Sequence, residues 1–118
     1  MRLDTLGALY DIQTSAHYIF EDTAGATYAI FLSDRRMRQL VERNFLIIGE
    51  AINRIRRREP ETLARITATP AIVGLRNVLS HEYDVIDYEQ IWQTVQESLP
   101  LLSQEVAELL REGDAALE

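Results

Sequence analysis

The stretch RNVLSHEYD, at positions 76–84, places an arginine, an asparagine, a histidine and a tyrosine within eight positions. An imidazole can move protons near neutral pH, and a guanidinium can stabilise a phosphate whose charge grows in the transition state. Cleavage of RNA by its own 2′-hydroxyl needs a base, an acid and such a cation. The chain contains no cysteine, which excludes thiol nucleophiles and thiolate metal sites. This stretch is therefore a candidate site for acid–base chemistry at a phosphate.

Helical geometry would bring the polar side chains of this stretch to one face. At about 100° per residue, Ser80, Asn77 and His81 fall within about 140° of Arg76 on a helical wheel. With Val73 as the exception, the apolar residues occupy the remaining arc: Ala71, Ile72, Leu75, Val78 and Leu79. One face is expected to pack into the protein, while the other presents a guanidinium, an amide, a hydroxyl and an imidazole.

Ordinary structural roles stay open for each residue of this polar face. An exposed arginine is usually solvated, and a histidine in the last turn of a helix can satisfy free carbonyls and the helix dipole. Asn77 and Ser80 are poor helix formers, but surfaces tolerate them. Tyr83 can pack its ring at the edge of the core. The second histidine, His17, lies alone beside an apolar stripe, and we interpret it as structural.

A single histidine cannot easily act as both base and acid in one step, whereas a two-fold dimer would supply a second copy of His81. The predicted helix over residues 34–58 supports a dimer, because its middle is apolar on nearly every side: Leu40, Val41, Phe45, Leu46, Ile47, Ile48, Ala51, Ile52 and Ile55. A helix of this kind is buried on every side. We therefore predict that a second copy of the chain covers part of it, with Ile48 at the interface.

Helical periodicity accounts for most of the chain, and no alternating pattern typical of strands is present. The predicted helices are 3–22, 34–58, a helix of about a dozen residues from Pro70 to near His81, and 88–112, with a short helical piece in PETLARI at 60–66. We expect an all-α fold, a small antiparallel helical bundle that forms a single domain over residues 1–118.

Local signals mark the ends of these helices. Gly25, in TAGATY, is expected to end the first helix, and Pro60 to close the second. Ser33 and Asp34 are the candidate N-caps of the second long helix, and Asp87 forms a possible capping box with Gln90 for the last helix. Pro100 is expected to bend the last helix.

The net charge of −7 argues against simple electrostatic binding of RNA or DNA, but the charge is unevenly spread. Residues 34–65 carry a net charge of +4, and residues 81–118 carry −9. Every basic side chain is arginine, which suits phosphate but also follows from GC-rich codon usage. The arginines at 35, 36, 38, 54, 56, 57 and 58 either offset the repulsion of RNA locally or form an ordinary solvated face.

The N-terminal sequence carries Asp4 and Asp11 and lacks a continuous apolar stretch, so no signal peptide is expected. The longest strongly apolar run, FLIIG, is far shorter than the roughly 20 residues that a membrane span requires. We expect a soluble, cytoplasmic protein without membrane association.

Three segments resemble the HepT-like branch of the HEPN superfamily. In RNVLSHEYDVID, a histidine follows an arginine by five positions, and a tyrosine comes two positions after the histidine. RNFLIIGEAINRI at 43–55 is similar to the second long helix of that family, including its Gly-Glu-Ala step. YEQIWQTVQESLPLL at 88–102 is similar to its last helix. The three segments follow one another in the family's order over almost the whole chain.

The resemblance implies a dimeric helical bundle and a metal-independent endoribonuclease toxin that needs no cofactor. It also implies a partner, a minimal nucleotidyltransferase antitoxin of the MntA type, which transfers AMP to the tyrosine of the motif and blocks the site, as in type VII toxin–antitoxin pairs. Carried onto this chain, Arg76 and His81 are catalytic, Asn77 is a polar assistant and Tyr83 is the modified residue. Glu50 matches a recurrent family position of uncertain role and, together with Ser80, is a candidate supporting residue.

Two other classes of function remain open on the residues alone. One is a catalytically silent helical subunit that only binds a nucleotidyltransferase, and the other is a binding site for a nucleotide or another small phosphate. The arrangement of a polar arc around one histidine favours the enzyme, whereas the acidic total charge fits the alternatives slightly better. Whether an mRNA or a tRNA would be cut is open as well.

Overall fold

A computed structural model describes residues 1–79 and 85–117 of the chain. Within these ranges the chain forms α-helices and no β-strand, which confirms the predicted all-α class. The helices are α1 Leu3–Thr23, α2 Tyr28–Ser33, α3 Arg35–Arg58, α4 Pro60–Leu63, α5 Thr69–Leu79, α6 Tyr88–Gln96 and α7 Ser98–Leu117. None of the helices in the described ranges is long and apolar enough to cross a membrane.

The chain turns between α1 and α2 at Gly25, whose φ of 75° suits glycine because it has no Cβ. Two residues later, the side chain of Thr27 accepts a hydrogen bond from the Ile30 N–H at 3.2 Å and begins α2. The sequence prediction missed this helix, since six residues are too few to show a periodic pattern. Its Phe31 is fully buried and packs against Trp92, with 5.1 Å between ring centroids.

The central helix α3 begins and ends as predicted. The Asp34 side chain accepts from the Met37 N–H at 3.0 Å, which confirms the N-cap. The helix ends at Arg58, two residues before Pro60, whose ring removes a backbone donor. This helix packs against both α1 and α5, so it holds the two halves of the bundle together.

A buried carboxylate joins the end of α3 to the beginning of α1. Glu59 is 8% exposed and accepts from the Arg2 backbone N–H at 2.8 Å, from the Thr5 hydroxyl at 3.4 Å and from the Thr62 hydroxyl. Burial opposes its ionisation, but the hydrogen bonds from Thr62, Arg2 and Thr5 hold the pKa of Glu59 below its ordinary value.

The core is formed by the inward faces of the long helices. Its largest fully buried side chains are Phe31, Phe45, Leu9, Ile12, Ile19, Ile48, Ile52, Ile55, Ile72, Ile91, Leu99 and Leu102. Ile48 is 0% exposed within a single chain, so the expectation that it lies at a dimer interface is wrong. The chain's own helices bury more of α3 than the apolar pattern suggested. Leu40, by contrast, is 42% exposed, and a second copy of the chain covering this side of α3 stays a prediction.

The predicted last helix, 88–112, is two helices. Asp87 accepts from the Gln90 N–H at 3.1 Å and caps α6 as expected. The helix then stops at Gln96, four residues before Pro100, so the predicted bend is a break between two helices. The reason is that Pro100 lacks the N–H that would bond to the Gln96 carbonyl, and its ring collides with that carbonyl. Pro100 therefore lies in the first turn of α7, which continues to Leu117.

Candidate active site

Arg76, on α5, is held by a carboxylate from α3. Its Nε donates to Glu50 Oε1 at 2.7 Å, and its Nη2 donates to the same oxygen. Its Nη1 donates to Asn77 Oδ1 at 3.2 Å. The Arg76 side chain is 29% exposed and that of Glu50 is 50% exposed, so the pair lies at the surface. The guanidinium is thus fixed by two partners and remains accessible from solvent.

Gly49 allows α5 to approach α3 closely enough for this pairing. A Cβ built at Gly49 would lie 2.5 Å from Arg76 Cγ and closer still to Arg76 Cβ, distances that real atoms do not adopt. An interior helical glycine destabilises by about 1 kcal/mol relative to alanine, so it needs a reason of this kind. In the Gly-Glu-Ala step, Gly49 leaves room for the Cβ and Cγ of Arg76, and Glu50 binds the guanidinium. Gly49 carries no predicted role, although a glycine inside a long helix is itself a signal that another helix packs closely there.

The predicted division of α5 into two faces is confirmed only in part. Ile72 and Leu75 of the apolar face are buried, but Val78 and Leu79 are half-buried, as Arg76 is. Ala71 departs from the prediction, because it is exposed at the beginning of the helix.

The structure brings three of the candidate residues together: Arg76, Asn77 and Glu50. The predicted roles of Ser80, His81 and Tyr83 concern residues outside the described ranges. How these side chains stand relative to Arg76 therefore remains a prediction from the sequence.

His17 has an ordinary surface partner. Its Nε2 lies 2.7 Å from Glu21 Oε1, one helical turn later on α1, and both side chains are more than half exposed. Pairs at this spacing are common on helix surfaces. Across residues 1–79 and 85–117, no group of three or more histidine, aspartate and glutamate side chains is placed to hold a metal ion.

The helix that holds Arg76 in place is strongly basic. Eight arginines and two glutamates give α3 a net charge of +6 on a chain whose total is −7. Arg43, Glu50 and Arg57 are all exposed and follow one another at intervals of seven residues, so they lie on one face of α3. The Arg76–Glu50 pair therefore sits in the middle of an arginine-bearing face.

Comparison with known proteins supports a single family. A family model described as ribonuclease HepT-like matches residues 12–109. A protein of Methanocaldococcus jannaschii, provisionally named as an RNase, is 37% identical over 103 residues, which cover 87% of this chain and 94% of the relative. One from Thermococcus cleftensis, provisionally named ribonuclease HepT, is 34% identical over 98 residues, covering 80% of this chain and 84% of the relative. No solved structure gives a significant match. The match over most of the chain shows that it belongs to the HepT-like ribonuclease family.

Proposed function

We propose that this protein is an endoribonuclease that cleaves RNA by attack of the 2′-hydroxyl, without a metal ion, and that Arg76 and His81 are its catalytic residues. The observation that carries the proposal is the guanidinium of Arg76, fixed by Glu50 and Asn77 at the surface. His81 follows five positions later in the chain. Membership of the HepT-like family and the provisional names of its relatives support the same activity.

Each residue has a defined part in this reaction. The imidazole of His81 moves protons: one is removed from the attacking 2′-hydroxyl and one is delivered to the leaving 5′-oxygen. The products are a 2′,3′-cyclic phosphate and a 5′-hydroxyl. Arg76 stabilises the charge that develops on the phosphorane, and Glu50 holds the guanidinium so that little reorientation is needed during the reaction. Asn77 helps to orient Arg76 through Nη1.

We further propose that two copies of the chain form the site. One imidazole would have to be base and acid in the same step, whereas a two-fold dimer supplies a second His81. On α3, Leu40 is exposed and Ile47, seven residues later on the same face, is half-buried, which leaves apolar surface for a partner copy to cover.

We further propose that a partner enzyme regulates the site by modifying Tyr83. The toxin would be neutralised by a minimal nucleotidyltransferase of the MntA type that transfers AMP to Tyr83. The added nucleotide is bulky and carries a phosphate, so it would obstruct RNA and compete with it for Arg76.

The decisive experiment is incubation of the purified chain with total RNA in the presence of EDTA. We expect the wild type to cut RNA and leave 2′,3′-cyclic phosphate ends. His81→Ala should be slower by about 10²–10⁴-fold, since general acid–base catalysis contributes that much. His17→Ala is the matched control, because it removes the other histidine from an exposed pair on α1 and should cut at the wild-type rate.

The alternatives predict different results in the same assay. A silent binding subunit or a small-phosphate site would leave RNA intact even in the wild type. A requirement for a divalent metal, or wild-type cleavage by His81→Ala, would contradict the proposed mechanism.

A further inference from the structure

A groove of about 450 Å³ lies between the first half of α1 and the last turns of α3. Arg54, Arg57 and Arg58 line it from α3, and Asp4, Gly7 and Asp11 line it from α1. We call it the α1–α3 groove.

The two aspartates hold two of the arginines in place. Asp11 accepts from Arg54, and Asp4 Oδ2 lies 3.8 Å from Arg58 Nε. Within residues 1–79 and 85–117, Arg57 forms no ion pair. Positive charge near the end of a helix is favourable to its dipole, which is an adequate structural reason for one or two of these arginines. Of the three arginines that line the groove, Arg57 alone lies beyond ion-pair distance of both aspartates.

The wall of the groove formed by α1 is open at Gly7. A Cβ built there meets no atom within 4 Å, so packing does not require a glycine at this position. The contrast with Gly49 is direct, since Gly49 is in tight contact with Arg76. The fold does not require a glycine at position 7. Because it has no side chain, Gly7 allows a ligand in this arginine-bearing groove to approach the backbone of α1.

The groove is aligned with the candidate active site. Arg57 lies seven residues after Glu50 on the same face of α3, which is a distance of about 10 Å along the helix axis. Glu50 holds Arg76. On the other side of Glu50, Arg43 lies on the same face at the same axial interval. A polyanion lying along the C-terminal half of this face would meet Arg76 and then Arg57, whereas Arg43 lies between Leu40 and Ile47 on the surface proposed for a partner copy.

We propose that the α1–α3 groove binds phosphates of the RNA strand a few nucleotides away from the phosphate that is cleaved. The strand would run along the exposed face of α3, with Arg57 and its neighbours positioning the substrate. Arginine suits this task, because its planar fork matches the oxygens of a phosphate. The inference rests on the proposed ribonuclease function, and it concerns substrate binding and not the chemical step.

Equilibrium binding of a single-stranded RNA oligonucleotide tests the groove. The His81→Ala background is used so that the RNA stays intact. In that background Arg57→Ala is expected to weaken binding about fivefold, the upper range for one exposed ionic contact. The slope of log K against log salt should become shallower by about 0.7, the value for one lost phosphate contact to a single strand. Arg111→Ala is the matched control, since it removes the same charge from an exposed position on α7.

A second variant places charge in the groove and leaves every arginine intact. Gly7→Glu introduces a carboxylate where the structure has open space, so the fold should be retained, as circular dichroism and thermal melting would show. It is expected to weaken RNA binding at least as much as Arg57→Ala. Gly7→Gln has the same size without the charge, and it separates repulsion of phosphate from obstruction of the groove.

The outcomes distinguish this inference from the proposed function. With His81 restored, Arg57→Ala should raise KM and leave kcat unchanged, as expected for a residue that positions the substrate. If Arg57→Ala and Gly7→Glu bind RNA as tightly as Arg111→Ala, the groove is not part of the RNA path, even though wild-type cleavage would stand. The inference would also be overturned if free inorganic phosphate displaced the oligonucleotide at an equal concentration. That result would show that the groove is a site for small anions. If the wild-type chain binds RNA without cleaving it and both groove variants lose binding, the result would support the groove as an RNA site and contradict the proposed nuclease activity.

Discussion

Gly49 and Gly7 each stand inside a long helix, but the space around the absent side chain differs. At Gly49 the stem of Arg76 occupies the position of a Cβ, whereas at Gly7 that position is open. The first glycine is required by contact between two helices. The second lines a groove.

Replacement of each glycine by alanine should therefore have opposite effects. Gly49→Ala is expected to lower the free energy of unfolding by about 1–3 kcal/mol, the usual range for overpacking. It should also displace Arg76 and slow RNA cleavage. Gly7→Ala should raise the free energy of unfolding by about 0.4–1 kcal/mol, because alanine restricts the unfolded chain and meets nothing in the folded one. Urea unfolding measures both changes in the free energy of unfolding. Equal changes would show that the packing of α5 against α3 does not depend on a glycine at position 49.

Tyr83 is expected to be a regulatory residue that takes no part in proton transfer. Tyr83→Phe should cut RNA at close to the wild-type rate, but the nucleotidyltransferase and ATP should no longer silence it by modification. Tyr88→Phe is the matched control; it should remain open to neutralisation, since Tyr88 lies on α6 and packs against Phe31. Mass spectrometry of the co-expressed protein measures the added AMP. An unmodified Tyr83 in a fully neutralised complex would mean inhibition by binding alone.

At the scale of elements, Glu59 ties the end of α3 to the beginning of α1 and α4. Its pKa is below the ordinary value of 4.5, since the hydrogen bonds from Thr62, Arg2 and Thr5 outweigh the opposing effect of burial. A carboxylate with a lowered folded-state pKa contributes stability above its unfolded pKa. That contribution is lost as the pH falls through the folded value.

Glu59→Gln should therefore lower the free energy of unfolding at pH 7, and the deficit relative to wild type should shrink as the pH falls below about 4.5. The exposed neighbour Glu61 provides the control, as Glu61→Gln should change little at either pH. Thermal melting across the pH range gives the measurement. A deficit that does not change with pH would mean that the charge of Glu59 contributes nothing.

Local signals predicted the helix ends well, because an N-cap is formed by residues three positions apart. Asp34 and Asp87 cap their helices as expected. The contact between Glu50 and Arg76 joins residues 26 positions apart, and no periodic pattern reveals which of several arginines a glutamate will bind. The error at Ile48 has a similar origin. An apolar pattern shows that a side chain is buried, but it does not show whether its own chain or a second copy covers it.

At the scale of the whole molecule, the predicted dimer can be tested without disturbing the core. Leu40 is 42% exposed on α3, so Leu40→Glu should keep the fold of one chain. It should convert a dimer to monomers and reduce RNA cleavage with it. Leu101→Glu, at a similarly exposed position on α7, should remain dimeric. Sedimentation velocity measures the state, and a wild-type chain that is monomeric at micromolar concentration would remove the basis for a composite site.

The basic helix gives the molecule an electrical asymmetry. Since α3 carries +6 and the whole chain −7, the remainder of the chain carries −13. Unequal charge of this kind exerts an orienting torque on the protein near a polyanion, which favours approaches in which the exposed face of α3 faces the RNA. Added salt screens that orienting torque, so the association rate with RNA should fall as ionic strength rises. If only the net negative charge of the protein acted on RNA, the association rate would instead rise with salt, because salt would screen the repulsion.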